Sequence, residues 1–347
     1  MNKYTFAALL TTSLLLLFPI INFGSDPDNK TFRIAFYNVE NLFDTEHDDG
    51  KFDEEFLPDG DRYWNNRKLN LKLNRIYQVI MALGQGNLPA IVGMCEVENL
   101  NVLELLLART PLGRMGYRVV HQESPDRRGI DVAMLYHSKQ FSPISYQAIP
   151  LSKPGNPDFK TRDILHVTGV MATDTLHFFV NHWPSKYGGV VETESSRALA
   201  ARTLKLAVDS LFSNENHSKI IIIGDMNDSP FDDSVNLHLK AQHNFDSILC
   251  HQIYNLAYPL ASKGIGSNKF QGKWEMIDQI MVSGALLGNE KLTTTPDAFT
   301  IFDADFLLEK DKNFLGEKPF RTYMGFKYHN GFSDHLPVYI DLRYRGN

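Results

Sequence analysis

Eight polar side chains stand where short apolar runs end, and their types suit a hard cation and proton transfer. They are Asn38, Glu96, His182, Asp225, Asn227, Asp278, Asp334 and His335. Four carboxylates and two carboxamides match Mg²⁺ or Mn²⁺, which prefer oxygen ligands, with Ca²⁺ as a possible substitute. Two imidazoles add groups that can give or take a proton near neutral pH. The set holds no thiolate and no His-x-x-x-His spacing, which argues against a structural zinc site.

The elements that must position these residues can be read from the same stretches. Ile220 to Ile223 form a run flanked by Lys219 and Gly224, the pattern of a short strand buried on both faces. Asp225, Asn227 and Asp228 follow where Pro230 prevents the strand from continuing. Read alone, those three residues serve equally well as a turn that satisfies its own backbone. Similar strands are expected over residues 31–39, ending near Asn38, over 89–97, ending at Glu96, and over 129–136. Residues 160–172 and 175–183 read as a hairpin that delivers His182, and 274–282 as a strand carrying Asp278. Asp334 and His335 precede a terminal strand. Helical periodicity marks residues 67–83, closed by Gly84, then 101–109, and 195–212 leading into the isoleucine run. Residues 284–332 read as an irregular surface insertion. Residues 44–62 are acidic and turn-rich; their spacing is close to a calcium loop, but Gly50 falls one place late, so a solvated loop is expected.

Composition sets bounds on partners. The 347 residues are 43% apolar and 22% charged, with a formal net charge of −6, which is globular and gives no electrostatic footprint for nucleic acid. Only Cys95 and Cys250 are present. Cys95 reads as a buried small hydrophobe, and whether the two pair is open. Met1-Asn2-Lys3 precedes an apolar stretch from Phe6 to Phe23, interrupted by Thr11, Thr12, Ser13, Pro19 and Asn22. Residues 1–24 therefore read as a signal peptide cleaved near Gly24 or Ser25, with the periplasm or the exterior as destination.

In chain order, Asn38 in FYNVEN, Glu96 in CEVEN, His182 in NHWPSK, Asp225 and Asn227 in GDMND, Asp278 in IDQI and Asp334-His335 in SDHLPV resemble the endonuclease/exonuclease/phosphatase superfamily. The resemblance spans residues 31–343. It implies a four-layer α/β/β/α sandwich, with two mixed sheets face to face and helices outside. It implies a divalent-metal-dependent phosphoester hydrolase, first of all a nuclease or phosphodiesterase. Glu96 would be the principal metal ligand, helped by Asn38 and Asp334. Asp225 would deprotonate the attacking water, and Asn227 would hold the phosphate or that water. Asp278 would orient His335, and His182 would donate to the phosphate or leaving group; which histidine is acid and which is base is open.

Two departures bear on the substrate. Gln279 stands where many relatives carry an aromatic residue, and no Lys/Arg cluster marks a nucleic-acid groove. Lipid headgroups or inositol phosphates are therefore the alternative substrates. Phe299, Phe302, Phe306, Leu307 and Leu308 are the candidates for an apolar membrane-facing hairpin. A non-catalytic binding protein on the same fold is a second alternative, and a monomer is expected.

Overall fold

The computed structural model describes residues 29–153 and 155–346, so the segment read as a signal peptide lies outside the described residues. The chain runs β1 (Asn29–Leu42), α1 (Asn66–Gly84), β2 (Ile91–Val97), α2 (Leu100–Arg109), β3 (Tyr117–His121), β4 (Asp131–His137), β5 (Ser142–Ile149), β6 (Ile164–Met171), β7 (Asp174–His182), α3 (Val190–Asn214) and β8 (Lys219–Asp225). After β8 come β9 (Ile253–Asn255), a short α4 (Tyr258–Ala261), β10 (Asn268–Phe270), β11 (Lys273–Glu275) and β12 (Asp278–Ser283). Next are β13 (Leu292–Thr293), β14 (Thr300–Ile301) and two small hairpins, β15 (Leu308–Lys310) with β16 (Glu317–Pro319) and β17 (Tyr323–Met324) with β18 (Lys327–Tyr328). The strand β19 (Val338–Arg345) closes the order.

Two mixed sheets result. One has the order β13-β19-β1-β2-β4-β3, with β14 also paired to β19; the other runs β5-β6-β7-β8-β12-β9. Their inner faces share one core: Phe36, Ile91 and Met134 from the first sheet meet Phe178, Val180, Ile221, Ile223 and Ile280 from the second. On the outer face of the first sheet, Val92, Met94 and Leu135 pack under Leu73, Ile76 and Ile80 of α1 and Leu103 and Leu106 of α2. On the outer face of the second, Phe179, Ile220 and Ile222 pack under Ala200, Ala201, Leu204 and Val208 of α3. This is the α/β/β/α sandwich. The isoleucine run shows why β8 is rigid: alternate members enter opposite cores, and each fully buried side chain contributes about 1.5–3 kcal/mol.

Several boundaries differ from the sequence reading for local reasons. Asn65 caps α1 by accepting from the backbone N–H of Arg67 and Lys68, and the left-handed C-cap is Gln85 rather than Gly84. The 274–282 run is split: Trp274 lies in the β10–β11 hairpin, and β12 begins only at Asp278. Strand β3 is only five residues long and β5 is largely exposed, so neither stands out in the sequence. The expected solvated loop at 44–62 is tied down, because Asp44 accepts from Asn99 and Asn101 and donates its N–H to Glu98, while Asp53 accepts from His47 and Asp48.

The expected surface insertion at 284–332 is also corrected. Its strands β13 and β14 extend the first sheet, and Phe299, Leu307, Tyr323 and Phe332 are buried in the cores. The membrane-facing hairpin is overturned with it: Phe299 and Leu307 are core residues, and Phe302, Phe306 and Leu308 pack against the core. Both cysteines are free, with Cys95 buried.

Candidate active site

Three catalytic candidates lie side by side because of strand register. β7 and β8 run parallel with His182 opposite Asp225, and β8 and β12 run antiparallel with Asp225 opposite Asp278. One row of three adjacent strands therefore ends in imidazole, carboxylate, carboxylate. Gly224 permits this close pairing, since a Cβ there would lie 2.5 Å from the Asn181 carbonyl oxygen. His335 arrives from the segment before β19 and closes on Asp278, with 2.7 Å between Nδ1 and Oδ2. Ser267 Oγ donates to the same Asp278 oxygen at 2.5 Å.

The opposite sheet supplies Asn38 and Glu96. β1 and β2 pair in parallel with Asn38 opposite Cys95, and both the β1–β2 and β2–β4 ladders shift register around Glu96. Glu40, Asn41 and Glu96 all have positive φ, at 51°, 54° and 59°, and Asn227 after β8 has φ 51°. Left-handed non-glycine residues carry backbone strain and cluster where a site demands it. Here the strain turns Glu96 back toward Asn41, whose N–H donates to Glu96 Oε2 at 3.0 Å. Asn38 Nδ2 then bridges the sheets, 3.1 Å from Asp225 Oδ2 and 3.4 Å from Glu96 Oε1.

Asp225 is the hub. Its Oδ1 accepts from the Asn227 backbone N–H at 2.9 Å, and its Oδ2 lies 3.8 Å from His182 Nε2 and 3.9 Å from His335 Nε2. Burial raises its pKa to about 7; the Asp278 charge adds to the rise, while His335 and the hydrogen bonds from Asn227 and Asn38 oppose it. The two histidines diverge. Burial alone would lower His335, but the charge and hydrogen bond of Asp278, then Asp225 and Asp334, hold it well above the usual imidazole value. Burial pushes His182 well below that value, helped by the positive charges of Arg162, Arg128 and His335. His182 Nδ1 is buried with no hydrogen-bond partner.

Asp334 stands apart from this row. Its Oδ2 is paired with Arg321 Nη2 at 2.9 Å; burial would raise the carboxylate, but Arg321 and then His335 hold it below the usual range. Asn227 Nδ2 donates to the Trp183 carbonyl at 3.0 Å, leaving its amide oxygen and second N–H free for a ligand. Asp228 turns away: it accepts from Ser234 and pairs with Arg197, which is buried rather than on the surface. Trp64 and Trp183 are core residues.

Four residues near the site escaped the sequence reading. Arg162 is buried and reaches Asp126 and the Trp183 carbonyl beside His182. Glu40, Lys72 and Arg321 lie around Asp334; burial lowers Lys72 to about 8. Glu40 carried a signal, an acidic residue two places after Asn38 at a strand end. Arg321 carried none.

Two compact groups of three donors share Asp225: Cys95, His182 and Asp225, and Asp225, Asp278 and His335. Neither suits a hard cation, because Cys95 is a thiol that burial holds protonated and His335 is itself held as a cation. Glu96 fits better. Its Oε2 accepts from the Asn41 N–H and its Oε1 faces Asn38 Nδ2, while the Asn38 amide oxygen accepts from the Glu40 N–H. A carboxylate oxygen of this kind suits Mg²⁺ or Mn²⁺.

A family model described as the Endonuclease/Exonuclease/phosphatase family matches residues 33–344. Among solved structures, a family protein from Bacteroides thetaiotaomicron is similar at 16% identity, covering 91% of this chain and 98% of that one, with a TM-score of 0.54. D. rerio TDP2 complexed with single strand DNA product is similar at 13% identity, covering 90% and 98%, with a TM-score of 0.54. A mannosyl-6-phosphatase from Bacteroides thetaiotaomicron VPI-5482 is similar at 15% identity, covering 90% and 99%, with a TM-score of 0.53. No curated protein sequence matches the chain.

Proposed function

The chain belongs to the Endonuclease/Exonuclease/phosphatase family, a family of phosphoester hydrolases, and from that premise we propose a secreted, divalent-cation-dependent phosphodiesterase, most readily a nuclease. The observation that carries the reading is the in-register row of His182, Asp225 and Asp278, closed by His335 on Asp278 at 2.7 Å. Glu96, Asn38 and Asp334 would hold the cation. When bound, it neutralises phosphate oxygens and the leaving oxygen as charge develops.

The protein's own groups divide the proton work. Asp225, with a pKa of about 7, accepts the proton of the attacking water near neutral pH. His335 is positively charged, is fixed through Nδ1 by Asp278, and points Nε2–H toward the Asp225 side, where a phosphoryl oxygen is stabilised. His182 is neutral and orients the phosphate from the other side of Asp225, and Asn227 holds the water or phosphate with its free amide groups.

One observation favours a second reading, a compact phosphate monoester such as an inositol phosphate. A pocket of about 350 Å³ beside Asp334 and Arg321 is lined also by Lys269, Lys318, Phe314 and Met324, a volume suited to a small headgroup. The test is turnover of plasmid DNA, RNA, sphingomyelin, bis-p-nitrophenyl phosphate and p-nitrophenyl phosphate by the mature chain, with Mg²⁺ or Mn²⁺ and with EDTA. Turnover of the diesters supports the first reading and turnover of the monoester alone the second. If no substrate is turned over, or if Glu96→Ala and His335→Ala leave the rate intact, both readings fail. Secretion is tested by N-terminal sequencing of protein recovered outside the cytoplasm, where Met1 at the amino end would count against it.

A further inference from the structure

We propose that His121, Glu123 and Asp131 form a Zn²⁺ site, sharing no residue with the catalytic row, that pins the β3–β4 loop beside the active site. His121 is the last residue of β3 and Asp131 the first of β4, so antiparallel pairing of the two strands brings these ends together. Glu123 follows two places after His121 in the loop that joins them. One ligand atom from each of the three lies within 4.8 Å of the other two, in a close donor group that does not include Asp225. His121 Nε2 and Asp131 Oδ2 are 3.1 Å apart. Two ligands held at about 2.0–2.1 Å around a tetrahedral Zn²⁺ stand about 3.3 Å apart, so the pair needs little movement to take the ion.

The surroundings are built for a ligand of positive charge. The side chains of His121 and Asp131 are nearly out of solvent, at 2% and 1% exposure, whereas Glu123 is exposed and gives an ion its way in. Asp131 Oδ1 accepts from the Ser124 N–H at 3.0 Å and from the Ser124 hydroxyl, which fixes the carboxylate with Oδ2 toward His121. Lys51 is the nearby cation, but its Nζ is spent on the Ser124 and Asp126 carbonyls at 3.0 and 3.1 Å. Asp163 keeps a buried Oδ1 with no hydrogen-bond partner; burial raises its carboxyl, a backbone bond from Leu151 opposes this, and the Asp131 charge adds to the rise. Burial, then the Asp131 charge, raises Glu123 to about 7, with His121 and Lys51 opposing. A divalent ion is bound in exchange for that proton. One imidazole and two carboxylates, with water in the fourth position, suit Zn²⁺. The loop so pinned reaches both halves of the active site. Its Arg128 Nη2 donates to Asn41 Oδ1 at 2.9 Å, next to Glu96, and its Asp126 pairs with Arg162, which donates to the Trp183 carbonyl beside His182.

The test is Zn²⁺ titration of the metal-stripped full chain in saturating Mg²⁺, read by calorimetry, melting temperature, zinc-edge X-ray absorption and hydrogen exchange. The wild type should bind one tight Zn²⁺ through nitrogen and oxygen alone, melt higher, and exchange residues 122–130 more slowly. Glu123→Gln, at an exposed position, should bind Zn²⁺ at least about tenfold more weakly, and His121→Ala should lose the tight site and the rise in melting temperature. Glu96→Gln should keep both. Zn²⁺ binding that survives Glu123→Gln and His121→Ala belongs to other side chains and overturns the proposal, as do a sulfur ligand or no tight Zn²⁺ on the wild type. Loss of the ion in Glu96→Gln assigns it to the catalytic rim and also overturns the proposal. Unchanged exchange in residues 122–130 overturns the pinning role. If His121→Ala does not fold, Glu123→Gln decides alone.

Discussion

Asp278→Asn isolates what the buried carboxylate does for His335. The substitution keeps size and leaves an oxygen that can still accept from Nδ1, so the ring stays oriented while the charge is lost. Both groups are nearly out of solvent, with side-chain exposures of 1% for Asp278 and 7% for His335, and they meet at 2.7 Å. A hydrogen bond to a charged group contributes about 1.5–3 kcal/mol. At 1.36 kcal/mol per pKa unit, the imidazolium should lose roughly one to two units of its elevation. His335 is raised in the folded protein, so its stabilisation is complete below the unfolded value of about 6.5 and is lost as pH rises through the folded value. The variant should therefore lose most stability, relative to wild type, below about pH 6.5, with the difference shrinking at alkaline pH.

For activity, the alkaline limb of kcat/KM on bis-p-nitrophenyl phosphate should move down by roughly one to two pH units. Histidine ring-proton shifts followed by NMR give the His335 titration directly. If the alkaline limb and the ring titration stay where they are in the wild type, Asp278 does not hold His335 charged and the proton assignment is wrong.

Glu96→Gln should weaken Mn²⁺ binding by at least about tenfold, as loss of a charged ligand does, measured by calorimetry. Asp225→Asn should remove the acidic limb of the rate profile, which lies near pH 7 because burial raises that carboxylate; the rate should fall about 10²–10⁴-fold. The same variant should be more stable than wild type at pH 8 by differential scanning calorimetry. A carboxyl group with a raised folded pKa costs stability above its unfolded value of about 3.9, and the amide removes that cost. Gly224→Ala should cost about 1–3 kcal/mol in urea unfolding, because the new Cβ would lie 2.5 Å from the Asn181 carbonyl; it should also lower activity by disturbing the His182–Asp225 register.

Much of the layout was legible because strand patterning and site chemistry coincide. Four isoleucines ending in Gly224-Asp225 dictate a doubly buried strand with a carboxylate at its tip, and the structure seats Ile220 and Ile222 in one core and Ile221 and Ile223 in the other. Segment 284–332 was illegible for the opposite reason. Its strands are two or three residues long, two of them ordered on the edge of β19 and four paired as small hairpins, so no periodicity accumulates. Phe299 and Leu307 look like surface apolar residues until the sheets exist to cover them.

By itself the sequence determined the sandwich and which side chains stand at strand ends, since residue alternation and breakers act over a few neighbours. Tertiary structure alone decided the charge state each one holds. Burial between the two sheets raises Asp225 to a pKa of about 7, and the bond from Asp278 holds His335 as a cation. Arg321 meets Glu40 across 281 residues of chain, so no local pattern could announce it. Electrostatic work depends on distance and burial, and both are set only when the two sheets close on each other.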